Sequence, residues 1–159
     1  MRRIPLEKFE SFVRDGVEAI PTKFRTRIKN AAFLVRERPT AAQRRQNGLR
    51  PGETLLGLYE GIPHPARGEG YGGLVLPDRI TIFRGPIEAE AHLLVEEYFG
   101  NGRRPRTSAT LSEMFKEEVR RLVIDTVWHE VAHHFGLDEA GVARRERERQ
   151  GLKGQNPNI

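Results

Sequence analysis

Apolar positions recur at helical spacing in three stretches of the chain, and as alternation or short unbroken runs in three others. Leu6, Phe9, Phe12, Val13 and Val17 share one side of a helix over residues 5–17, with Pro5 at its start, where a missing N–H costs little. The run AAFLV, residues 31–35, is closed by charge and then Pro39, and predicts a buried strand. Residues 39–53 carry Pro39, Gly48, Pro51 and Gly52 and predict a connection. TLLGLYE, residues 54–60, predicts a second strand ending at Gly61, and the Gly- and Pro-rich IPHPARGEGYGG after it predicts a loop. DRITIFR, residues 78–84, alternates Ile80 and Ile82 with polar neighbours, the pattern of a half-exposed strand. Pro86 opens a helix through Phe99, and GNGRRPRTSAT follows as a loop.

The last large element runs from about Leu111 to Phe135, with Thr110 or Ser112 as its cap. Phe115, Val119, Leu122, Val123 and Val127 suit one broad side, and Ile124, Trp128, Val131 and Phe135 another. Apolar residues on more than one side predict a central helix, in contact with protein over much of its circumference.

Length and composition narrow the class. The chain has 159 residues, enough for one domain, placed here at residues 1–150, with 151–159 as a tail that has little to bury. No apolar run approaches the length of a membrane span, and charge interrupts the first residues where a signal peptide would be apolar. A cytoplasmic location is the expectation. There is no cysteine, so a metal site must be built from His, Asp or Glu. The net charge is +5 and the pI about 10.0, a balance that can attract nucleic acid. The basic residues are interleaved with acids, however, as in ARRERERQ at 143–150, which predicts a self-paired, solvated helix face.

The chemistry concentrates in WHEVAHHFGLDEAG, residues 128–141. His129 and His133 stand four apart, so on a helix both imidazoles share one face and can reach one ion. Glu130 lies one step round, poorly placed as a ligand and well placed beside a water on that ion. This is the HExxH arrangement, with the Glu as general base. Gly136 can take the left-handed conformation that ends a helix, turning the chain back toward the ion. Counting from His129, Glu139 then falls at the third-ligand position of the frame HExxHxxGxxE, with the adjacent Asp138 as the alternative. Two His and one carboxylate leave a coordination position for water and suit zinc. His134 points about 100° away from His133 and reads as a packing or surface residue. His64 and His92 are not expected to be ligands. Asp125, one turn before His129, either supports that ring or pairs along the helix.

HEVAHHFGLDE resembles the signature of the minimal zinc metallopeptidases of bacteria, small zincin-like proteins with an HExxHHFG motif. GLYEGIP at 57–63 and LPDRITIFRGPIE at 76–88 resemble the same family, so the likeness covers about residues 6–141. It implies a compact α+β zincin-like domain with a small sheet and a central active-site helix, and a zinc-dependent protease. It also implies an edge strand beside that helix, for which residues 80–84 are the choice, able to align an extended peptide substrate. No Met follows the site, so this is not a metzincin pattern. Tyr59, Tyr71, Tyr98 and Arg84 are chemically suited to stabilise an oxyanion. Two other readings stand beside hydrolysis of peptides: a zinc-binding module with little catalysis, and a basic metal-dependent nuclease drawing on Arg44, Arg45, Arg103, Arg104 and Arg106.

Overall fold

The computed structural model describes residues 3–62, 76–100, 107–138, 140–145 and 147. The chain runs α1 (Leu6–Glu18), α2 (Thr22–Arg25), β1 (Ala31–Arg36), α3 (Ala41–Gln46), β2 (Gly57–Glu60), β3 (Asp78–Phe83), α4 (Arg84–Gly100) and α5 (Ser108–His134). The strands form one sheet in the order β1-β3-β2, with β1 parallel and β2 antiparallel to β3. This is an α+β arrangement. Helix α5 packs against α1, α4, β2 and β3, so it is the central helix that its apolar pattern predicts. Phe9, Phe12 and Val13 of α1, Ile80 and Ile82 of β3, Ile87 and Ala91 of α4, and Val119, Val123 and Val127 of α5 meet in one core.

Strand β3 departs from expectation. It is neither half-exposed nor an edge: it is the middle strand, and only Arg79 of its residues is exposed. Thr81 looks solvent-facing in the sequence, but it is buried at 3 % exposure, flanked by Leu34 of β1 and Leu58 of β2. Among the described residues the edge beside α5 is β2. That strand is shorter than expected, beginning at Gly57, although Leu56 O still accepts a hydrogen bond from Phe83 N at 2.8 Å.

Three further boundaries differ. The connection over 39–53 contains α3, started by a reciprocal cap in which Thr40 Oγ1 accepts from Gln43 N and Gln43 Oε1 accepts from Thr40 N. Helix α4 follows β3 without a loop, and Pro86 sits in its first turn, where no backbone donor is required. Helix α5 begins at Ser108, and Thr107 rather than Thr110 or Ser112 caps it, accepting from Thr110 N. The tail 151–159, His64, Tyr71, Arg103, Arg104 and Arg106 lie outside the described residues.

Candidate metal centre

The last two turns of α5 bring His129 and His133 together, with their Nε2 atoms 3.2 Å apart. Two nitrogens bound to one zinc at 2.0–2.1 Å with a tetrahedral angle between them stand about 3.3 Å apart. The pair is therefore at ligand spacing. His133 Nδ1 lies 2.9 Å from Leu137 O, which can only accept, so this nitrogen carries the proton and Nε2 of the neutral ring keeps its lone pair. Both features fit a divalent ion held by imidazoles.

Leu137 reaches His133 because the helix stops where Gly136 stands. Gly136 has φ +83°, its N–H donates to His133 O, and Leu137 N donates to Ala132 O. This pair of bonds is the Schellman ending, and it reverses the chain within two residues. Asp138 follows, and its Oδ1 accepts from Gly141 N at 2.7 Å, capping the helical residues 140–145. Asp138 is thus occupied as a cap. Glu139, the ligand expected on spacing, lies outside the described residues. Among the described residues no three His, Asp or Glu form a group that could hold a metal.

Glu130 is buried at 7 % exposure and faces β2. A Cβ placed on Gly57 would lie 2.8 Å from Glu130 Oε1 and 2.6 Å from Thr126 Cγ2. Only a residue without a side chain leaves room for the carboxylate there. Beside it opens a cleft of about 310 Å³, walled by Leu55, Leu56 and Gly57 on one side and Asp125, His129 and Glu130 on the other. Asp125 pairs along the helix with Arg121 at 3.2 Å. Hydrogen bonding to Glu118, then its charge and that of Asp125, raises the pKa of Arg121 above the ordinary arginine value.

Behind the cleft, the sheet and helix are joined by polar groups. His134 is fully buried, with Nδ1 2.9 Å from Asp78 Oδ2, and the Tyr59 hydroxyl donates to the same oxygen at 2.9 Å. Tyr59 thus spends its donor on Asp78. Arg84 donates to Glu88 and to Ile4 O, and Tyr98 is exposed on α4. His92 stacks on Phe115 at 4.2 Å, away from the histidine pair. Lys116, Arg120 and Arg121 are paired with acids along α5 and with Asp15 of α1.

The sequence profile described as zincin-like metallopeptidase matches residues 28–97 and 103–149, well over half of the chain. The chain belongs to that family. The matched residues run from β1 through the histidine pair, so the match covers the sheet as well as the helix that carries the pair. No curated protein sequence matches the chain. No helix among the described residues is long and apolar enough to cross a membrane.

Residue spacing alone did not indicate Gly57, Tyr59 or Asp78. A signal was present in GLYEG: alternate residues of a strand share a face, and here that face carries Gly, Tyr and Gly. Gly57 clears Glu130, Tyr59 binds Asp78, and a Cβ on Gly61 would stand 2.3 Å from Asp78 Oδ1.

Proposed function

We propose that this zincin-like protein is a zinc-dependent peptidase, with His129, His133 and Glu139 holding the ion and Glu130 as general base. The observation that carries the reading is the meeting of two imidazole Nε2 atoms on a helix whose His129 and buried Glu130 line an open cleft. A zinc ion bound there would act as a Lewis acid and bring the pKa of a water it carries to about 7. Glu130 takes a proton as water attacks the peptide carbonyl, and returns it to the leaving amine. Gly57 fixes the height of that carboxylate in the cleft. An extended peptide pairs with the outer edge of β2, whose main-chain groups align it by strand addition. That edge takes the role first assigned to residues 80–84, because β3 is enclosed.

Metal analysis of tag-free protein, with hydrolysis of a library of unfolded peptides, tests the proposal. The expected result is about one zinc per chain for a site of this ligand set. Glu130→Gln should retain the zinc and lose roughly 10²–10⁴-fold in hydrolysis. Glu139→Ala should weaken zinc retention. Equal retention by that variant would move the third ligand to another residue, with Asp138 tested next. Full activity in Glu130→Gln would end the general-base assignment, and wild-type protein that takes up no zinc would end the peptidase reading.

A further inference from the structure

His134 stands beside a ligand histidine and is more deeply buried than any other polar residue described here, at 0 % exposure. Its Nδ1–H donates to Asp78 Oδ2, which also accepts from the Tyr59 hydroxyl, while Asp78 Oδ1 accepts from Ile62 N at 3.3 Å. The Tyr59 ring packs edge-on to the His134 ring at 5.8 Å. One carboxylate, itself only 2 % exposed, thus ties together β2, β3 and α5.

We infer that His134 is a positioning residue for the metal centre, acting with Asp78 and Tyr59 to lock the last turn of α5 onto the sheet. The inference rests on the metal site proposed above. Burying a carboxylate and an imidazole is costly, and apolar groups of the same volume would hold helix to sheet about as well. What the polar cluster adds is a single allowed alignment. A slip of β3 or a turn of α5 would leave the Asp78 charge buried without its donors. His134 follows His133 directly and lies one turn after Glu130 on the same side of the helix. Fixing His134 therefore fixes the height of Glu130 on β2 and the direction of the His133 ring. From the other side, Leu137 O holds His133 Nδ1. The ligand lies between two anchors, one in the sheet and one in the turn that ends the helix.

The test compares His134→Leu and His134→Asn with Val119→Ala, a core truncation about four turns earlier on α5. Asparagine can place an amide donor near the position of Nδ1. Zinc dissociation constants are measured by competition with a chromophoric chelator, and amide exchange of residues 130–134 is measured in metal-free protein. His134→Leu should weaken zinc binding about 10–100-fold, the range for groups that orient a ligand, and speed exchange across 130–134. His134→Asn should recover most of the affinity, and Val119→Ala should leave it near wild type despite a lower melting temperature. Wild-type affinity in His134→Leu, or equal weakening in Val119→Ala, would overturn the inference. Should His134→Leu fail to fold, Tyr59→Phe removes one donor and keeps the ring. Weaker zinc binding in Tyr59→Phe supports the lock, and unchanged binding overturns it. If wild-type protein takes up no zinc, the peptidase proposal falls, and the exchange data alone decide the lock: equal exchange in His134→Leu and Val119→Ala refutes it.

Discussion

A single hydrogen atom at Gly57 decides whether Glu130 can sit where it does. Pairing with β3 fixes the backbone of β2, so an added methyl group must displace Thr126 or Glu130. Gly57→Ala should therefore lower stability by about 1–3 kcal/mol, the range for overpacking. It should retain zinc, because the added methyl group is directed at Thr126 and Glu130 and not at the two imidazoles. Hydrolysis should fall with little loss of metal. Thermal denaturation, zinc content and cleavage of unfolded peptides, measured on one preparation, separate the three effects. A variant with undiminished hydrolysis would show that the wall at Gly57 does not set the Glu130 carboxylate. At this scale the sequence was readable where geometry follows local spacing, as in the meeting of the His129 and His133 imidazoles one turn apart. It was not readable where a small residue answers to a side chain some seventy positions away.

The elements repeat that division. The end of α5 was legible because everything that makes it is local: the apolar period stops, and Gly136 takes φ +83° to complete the Schellman turn. Alanine held in that conformation costs roughly 1–2 kcal/mol. Gly136→Ala should lower stability by about that amount. It should also weaken zinc binding, since Leu137 O is set by the turn and holds His133 Nδ1. Chelator competition would show this as lower affinity, and unchanged affinity would mean that the turn does not orient the ligand. Strand β3 was harder to read. Its alternation of Ile and polar residues is that of a strand with one wet face, yet Asp78 and Thr81 are buried beneath neighbours that its own sequence does not encode. One partner, β1, arrives by a parallel crossover more than forty residues long, and the other, β2, by an antiparallel return. Position in a sheet is a property of the pairing, so a single strand's pattern could not reveal it. The short α3 is a different case: TAAQ held its capping box in plain view, inside a segment read as a connection because of its Gly and Pro.

For the whole molecule, the position of α5 makes the proposed metal centre a matter of global stability. The helix contacts α1, α4, β2 and β3, and His129 and His133, the proposed ligands, lie in its last turns. A ligand bound only by the folded chain stabilises it through mass action, by about 2.7 kcal/mol when free ligand is 100 times its dissociation constant. In a chain of this size each kcal/mol moves the melting temperature by roughly 2–4 °C. Saturating zinc should thus raise the melting temperature of metal-free protein by about 5–11 °C. Chelation should reverse the shift. His129→Ala should abolish it, because one imidazole cannot replace the pair, whereas Glu130→Gln should keep it, because Glu130 packs against Gly57 and is assigned to the proton and not to the ion. Calorimetric scans with and without zinc on the wild type and these two variants discriminate between ligand and base. A shift that persists in His129→Ala would place the ion elsewhere on the protein. One lost in Glu130→Gln would make Glu130 a ligand, leaving the hydrolytic reading without its base.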